Sequence, residues 1–482
     1  MSGTAWIALM PLIIVGGASV VVMLALTIRR SYALTVWLTL SGLAAAFASL
    51  WPAASVSPRH VTLLLVVDRY AIFYMGLILA ACFAVVLISY GYFEKQRGQR
   101  EELYILMLLA TLGSQVLVTS THFVSFFLGL EILSVSLYAL IAYQHTKRRP
   151  LEAGIKYLVL AASSAAFLLF GMALIYAALG TMQFGEIATH LANQANLPLG
   201  ILLPGTALLI TGIGFKLGVV PFHLWTPDVY EGASAPVSAY IATVSKGSMF
   251  ALLLRYFYGS GFAHDRALYI VFVIIAIASM FAGNLLALMQ NNVKRILAYS
   301  SIAHLGYLLV AFLAGGRLAV EAVTFYLVAY FITMLGAFGV VAVLSDRDAE
   351  AELISDYRGL FWQRPLLAGI FTIMLLSLAG IPVTAGFLAK FFIIAAGASA
   401  SIWALILILV ATSVIGLFYY LRIVVMLYAD LPHGAERTET PALYLPLSGT
   451  FTLTALAILL VWFGVYPTQL LELIRTFTAR LF

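Results

Sequence analysis

The chain has 482 residues, of which 63% are hydrophobic and only 10% charged, and its mean hydropathy is +1.04. A soluble domain carries about 25% charged residues, so the composition excludes an ordinary soluble enzyme and defines an integral membrane protein. The formal net charge of +6 does not mark a nucleic-acid partner, because the basic residues sit in short loops between apolar runs and form no continuous patch.

In chain order, the first apolar run is Trp6–Ile28. It is longer than a secretory signal core, no positive charge precedes it, and Arg29 and Arg30 follow, so it reads as a retained first helix that starts outside the cytoplasm. A spanning helix needs about 20 apolar residues. That rule predicts about fourteen spans, near 6–28, 32–51, 71–93, 103–120, 122–143, 154–179, 201–225, 234–258, 267–289, 296–314, 319–344, 366–397, 402–428 and 445–466. Cys82, the one cysteine, lies inside the third span, which excludes disulfides, thiolate zinc sites and cysteine-ligated iron–sulfur clusters within the chain.

Two spans read as broken. The seventh holds Gly212, Gly214, Gly218 and Pro221, and the twelfth is too long for one straight helix and is interrupted at Gly380-Ile381-Pro382. Such breaks must face protein or water, because lipid cannot satisfy the freed backbone groups. The polar connector Thr226–Ala235 follows the seventh span and reads as a cytoplasmic turn. Of the two longer polar segments, Ser345–Arg364 has room for a short surface helix, and Asp430–Ala442 is the other; neither holds a domain.

Loops after odd-numbered spans carry Arg29, Arg30, Lys95, Arg97, Arg100, Lys147, Arg148, Arg149, Lys294, Arg295, Arg347, Arg358, Arg364 and Arg437. Loops after even-numbered spans carry Arg59, Arg69, Arg266 and Arg317. The positive-inside rule then puts the odd loops in the cytoplasm and both termini outside. Residues 103–258 and 267–428 each contain five spans, and two odd-numbered blocks in series enter the membrane from opposite sides, the condition for an inverted repeat. The repeat pairs the broken seventh span with the broken twelfth, Lys216 with Lys390, and Glu131 roughly with His304.

Five ionisable residues lie deep in apolar runs: Glu131, Lys216, Lys246, His304 and Lys390. A lysine in mid-membrane costs roughly 2.5–3.5 kcal/mol on insertion scales. A buried ion pair or a snorkelling side chain accounts for one such residue; five of them, two beside helix breaks, point to ion transfer. Desolvation favours a neutral lysine, and a nearby carboxylate restores its charge. A Glu131–Lys216 pair would therefore hold a proton when closed and release it when opened. A row of such groups joined by water passes a proton sideways from Lys216 through Lys246 and His304 to Lys390.

His223, after Pro221, either gates proton uptake or caps the broken helix. Asp228 and Glu231 read as loop anchors, Lys156 and Arg255 as snorkelling residues near span ends, and Lys294 and Arg295 as topology determinants. Gly212-x-Gly214-x-x-x-Gly218 follows no strand and lacks phosphate-loop spacing. No HExxH or GxSxG motif and no carboxylate cluster suggests a metal site or hydrolysis.

These residues carry a resemblance. The fifth-span Glu131, Lys216 ahead of PFHLWTPD, and KRILAYSSIAHLGY in the tenth span resemble the antiporter-like membrane subunits of respiratory complex I, the proton-pumping NADH:quinone oxidoreductase, which are related to the large Mrp cation/proton antiporter subunits. The pattern covers about 122–415 as a translocating core, and the wider likeness nearly the whole chain as one transmembrane domain. W-T-P-D-V-Y-E-G-A sets the chain apart from the M type, which has W-L-P-D-A-H and a twelfth-span glutamate where Lys390 stands, and the L type has a long C-terminal extension where this chain ends at Phe482.

The resemblance implies an all-α polytopic membrane protein in which Glu131 and Lys216 are the coupling pair, Lys246 the connecting lysine, His304 part of a central hydrophilic axis and Lys390 the exit-side lysine. It implies no cofactor or metal in this chain, with FMN, iron–sulfur clusters and quinone on partner subunits. The partners would be an M-type neighbour, the small K, J, A and H-type membrane subunits and the lipid bilayer, with no nucleic acid. The location would be a bacterial inner membrane, with both termini periplasmic. The alternatives are a subunit of an Mrp-type cation/proton antiporter and a non-pumping membrane scaffold.

Overall fold

The computed structural model describes residues 3–96, 100–145, 147–193, 197–260, 266–346, 349–430 and 447–478. Arg97, Arg347 and Arg437, and nearly all of the polar segment Asp430–Ala442, lie outside the described residues. Thirteen described helices are long and apolar enough to cross a membrane, and they fall on the expected runs. The exception is the run 366–397, which divides into Pro365–Ala379 and Ala385–Ser399.

Burial sorts the helices into an inner and an outer set. The eighth span (Ala235–Gly259), the tenth (Val293–Ala314) and the eleventh (Gly316–Leu344) are 94–100% buried within the bundle, whereas the first and sixth are 33% buried and face outward. The inner three carry Lys246 and His304. Small residues let the helices close up. A Cβ on Gly113 would lie 2.6 Å from the Leu133 nitrogen, so the fourth and fifth spans touch backbone to backbone. A Cβ on Gly283 would lie 2.6 Å from the Ala303 nitrogen, which brings the ninth span equally close to the tenth.

Both breaks are built the same way. The seventh span runs Leu199–Leu217 and ends at Gly218, in the left-handed region at φ +72°. The Gly218 N–H donates to Gly214 and Phe215, and the Val219 N–H to Gly214. The first half of the twelfth span ends at Gly380 (φ +85°), whose N–H donates to Leu376 and Ser377 while the Ile381 N–H donates to Leu376. Both are Schellman ends, which only glycine enters without steric cost. This register places Lys216 opposite Leu378, not Lys390. Lys216 precedes its break, and Lys390 follows its own on the helix Ala385–Ser399. Gly212 and Gly214, expected at the break, lie inside the helix, where they pack against Leu168 and Phe222.

Several elements differ from the sequence expectation. The connector is a helix, Trp225–Gly232, with Pro227 in its first turn, where a missing N–H costs no hydrogen bond. The eighth span contains a π-helical turn at Ile241–Ser245 directly before Lys246. Two amphipathic helices, Phe184–Asn193 and Thr468–Thr478, lie outside the spans, and a two-stranded hairpin pairs Arg59–His60 with Val66–Val67. Arg475 of the C-terminal helix ties it to Glu321 at 3.1 Å.

Candidate functional site: a buried row of amines, imidazole and hydroxyls

Lys216, Lys246, His304 and Lys390 are 3%, 1%, 5% and 8% exposed, so none of them snorkels. Each meets a hydroxyl. Lys216 Nζ donates to Ser134 Oγ at 2.6 Å, one turn beyond Glu131 on the fifth span, and lies 5.4 Å from the Tyr157 ring centre. The expected Glu131–Lys216 contact is not closed. Glu131 Oε1 is buried with no hydrogen-bond partner among the described residues, although its carboxylate is near enough to act electrostatically on the amine.

Lys246 Nζ donates to Ser301 Oγ at 2.8 Å and stands over the rings of Tyr230 (5.2 Å) and Trp225 (5.7 Å). The ring of Trp225 packs on that of Tyr157 at 4.9 Å, so these two aromatics stand between the two lysines. Trp225 Nε1 donates to the Phe215 carbonyl at 2.8 Å, which fastens the connector helix to the end of the seventh span.

Ser301 also accepts from the Tyr330 hydroxyl at 2.8 Å, and the Tyr330 ring lies 5.7 Å from that of His304. His304 Nδ1 meets the Tyr326 hydroxyl at 2.7 Å and Nε2 the Tyr420 hydroxyl at 3.2 Å; Tyr420 also bonds Ser300. The Tyr307 ring lies between His304, at 5.4 Å, and Lys390 Nζ, also at 5.4 Å. A small cavity lined by His304, Tyr326, Tyr330, Thr333 and Ser377 opens toward the twelfth-span break. Lys390 Nζ donates to the carbonyls of Leu378 and Ala379, each at 2.9 Å, and to Ser413 Oγ at 2.6 Å. The cation thereby sits at the negative end of the half-helix Pro365–Ala379.

His223 falls in the seventh-span break, partly buried, with Nδ1 unpartnered among the described residues. A second charged cluster surrounds the connector. Asp228 receives Arg295 at 3.0 Å and Lys156 at 3.1 Å, and Glu231 receives Arg295 at 2.7 Å, so both acids anchor the connector as expected. Burial works against the Asp228 charge, but Arg295 and Lys156 outweigh it and hold the carboxyl below its ordinary value. Lys156 is 48% exposed at its side chain, consistent with a residue at a span end.

Two assignments are corrected. Arg255 is buried and donates twice to Asp68, at 2.8 and 2.9 Å, because Asp68 at the start of the third span supplies a fork acceptor. Lys294 is fully buried and bonds the Ala233 carbonyl at 2.7 Å and the Glu350 carboxylate, so it serves as a packing cation and not only as a loop charge. Glu350 also accepts the Ala235 N–H at 3.0 Å, at the start of the eighth span, and the Tyr92 hydroxyl. Burial opposes its charge, but Lys294 prevails and keeps Glu350 below the usual carboxylate value.

Sequence reasoning located the charged members of the row and missed their hydroxyl partners Ser134, Ser301, Tyr326, Tyr330, Tyr420 and Ser413. The one available signal was the run Tyr299-Ser300-Ser301 beside His304.

Two broken helices and an interior row of titratable groups define a class: an antiporter-like membrane subunit built for ion translocation. The chain belongs to the NADH:quinone oxidoreductase/Mrp antiporter transmembrane family, whose model matches residues 120–416. NADH-quinone oxidoreductase subunit N of Ectopseudomonas mendocina is 50% identical over 97% of this chain and 96% of that protein. The same subunit of Nitrosospira multiformis is 52% identical over 97% of this chain and 95% of that protein. Among solved structures, a chain of respiratory complex I from Thermus thermophilus with bound aureothin matches with TM-score 0.81 and 32% identity, covering 96% of this chain and 99% of that one. A chain of the Mrp complex from Dietzia matches with TM-score 0.85 at 21% identity, covering 100% of this chain and 98% of that one, a likeness of fold alone.

Proposed function

We propose that this chain is the proton-translocating subunit N of a bacterial NADH:quinone oxidoreductase, coupling quinone reduction on other subunits to proton movement through its buried row. The observation that carries this reading is the succession Lys216, Lys246, His304, Lys390, each bonded to a hydroxyl inside the bundle. Glu131 is the switch. With its carboxylate open, as here, Lys216 keeps only a neutral hydroxyl partner, which favours release of the proton; closure of the pair favours its capture.

The two blocks 103–258 and 267–428 act as inverted repeats. The matched Schellman ends at Gly218 and Gly380 and the matched glycine contacts at Gly113 and Gly283 support that pairing. In this assignment the connector cluster faces the cytoplasm, both termini face the periplasm, and an M-type subunit and the small K, J, A and H-type subunits adjoin the chain. FMN, iron–sulfur clusters and quinone reside on other subunits.

The test is proton pumping measured beside NADH:quinone turnover in an assembled complex carrying Lys216→Ala. Lost pumping in a stably assembled complex supports the relay, and pumping at the parental rate sinks it. Co-purification without flavin and iron–sulfur subunits would place the chain in an Mrp-type assembly instead.

A further inference from the structure

No hydrogen bond links Lys216 to Lys246 among the described residues, yet the stretch between them is not apolar. Thr226 and Tyr230 stand one turn apart on the connector helix, and both are 0% exposed. Thr226 Oγ1 has no hydrogen-bond partner among the described residues, and the Tyr230 hydroxyl has Ser301, the partner of Lys246, beside it. A buried hydroxyl left unpaired is costly, and in native proteins such groups are met by internal water.

Gly218 fixes where this pair lies. A Cβ built on Gly218 would fall 2.5 Å from Thr226 Oγ1 and 3.3 Å from Lys246 Nζ. The Thr226 hydroxyl and the Lys246 amine therefore border the same glycine, two residues past Lys216, at the point where the seventh-span helix ends. His223 Nδ1, also buried and unpartnered among the described residues, lies in the same break, and the unpartnered Glu131 Oε1 lies on the fifth span, close enough for the carboxylate to act on Lys216.

We propose that Thr226 is a relay residue of the proton path, its hydroxyl linking Lys246 to Lys216 through internal water at the seventh-span break, with Tyr230 as the second anchor of that water. The inference rests on the proton-translocation reading above. In the transfer, an N–H bond of the Lys246 ammonium breaks as a water oxygen takes the proton. That water, now hydronium, passes a proton to Oγ1, and Oγ1 gives up its own to a second water, which protonates the neutral Lys216 amine. One proton moves, the hydroxyl and both waters end unchanged, and the reverse direction uses the same bonds. Gly218 is glycine on this account for two reasons: its positive φ, and the room a side chain would take from the hydroxyl and the amine.

The experiment compares Thr226→Val with Thr226→Ser in the assembled complex, with Lys216→Ala alongside. Valine keeps the shape and removes the hydroxyl, and serine keeps the hydroxyl. The expected result is that Thr226→Val assembles at parental levels but pumps roughly tenfold less or lower, the scale at which positioned proton transfer contributes, while Thr226→Ser keeps at least half of parental pumping. Parental pumping by Thr226→Val while Lys216→Ala is inactive would overturn this inference and leave the proton path standing. Parental pumping by both would fell the underlying reading. Equal losses in Thr226→Val and Thr226→Ser would also overturn the relay, because they would tie the defect to packing.

Discussion

The two broken spans end in the same glycine-capped geometry and treat their lysines in opposite ways. At the twelfth, Lys390 lies beyond the break and reaches back to two backbone carbonyls and a hydroxyl, so its charge is held by groups that cannot move away without unwinding a helix. At the seventh, the Phe215 carbonyl is taken by Trp225, and Lys216 has one hydroxyl and a carboxylate that stands off. Fixed acceptors make a resting place for a proton; a side-chain carboxylate makes a switch. On the proposed proton path, one frame would supply a storage site and a control site, according to which side of the glycine the lysine occupies.

Five substitutions test this contrast and the clamp beside it. Lys390→Met should abolish pumping and also destabilise the protein by about 2–3 kcal/mol, because two buried carbonyls lose their donor. Lys216→Met should abolish pumping with little change in thermal stability. Equal melting of the two variants, measured on the purified complex in detergent, would erase the distinction.

Next in size is Glu350→Gln, in the clamp that seats the connector and the eighth span, which should cost about 2 kcal/mol by removing the nearer of the two carboxylates that face buried Lys294, Glu352 standing at 3.9 Å. The Glu350 pKa is lowered in the folded protein, so its contribution is full above the ordinary carboxylate value of 4.5 and is lost as pH falls through the folded value. Wild type and variant should therefore differ at pH 7 and converge in acid; a gap that widens below pH 4.5 contradicts the assignment. Glu131→Gln should lower pumping about tenfold while NADH:quinone turnover persists, because the switch at Lys216 loses its charge and Lys390 has no such dependence. The smallest effect is expected for Ser413→Ala, about 1 kcal/mol in melting, since two carbonyls still hold Lys390.

The membrane segments were legible because apolar length is a local property, and Gly218 and Gly380-Ile381-Pro382 announced the breaks in the same local way. The buried lysines were legible as charges in apolar runs. What the sequence could not show was contact across distance. Asp68 lies far from Arg255 in the chain, and Glu350 far from Lys294, so each cation looked like an unpaired residue at a span end. The reach of Lys390 back across its own break depends on a backbone turn, and pairing by linear position assigned it to Lys216. The helix Thr468–Thr478 escaped notice because it is too short and too polar for the rule that found the spans.

The π turn at Ile241–Ser245 carries a consequence for the aim of Lys246. It holds one residue more than an α-helical turn would, and each residue of an α-helix turns the chain by about 100°. Wound as ordinary α-helix, the same sequence would swing Lys246 by roughly that angle relative to Tyr240, whose hydroxyl is fastened to Thr111 at 3.0 Å. Deleting one residue from 241–245 would leave both ends of the span in their present faces and remove the slack between them. The spare residue thus sets the bearing of the Lys246 amine without shifting the helix axis that its neighbours grip.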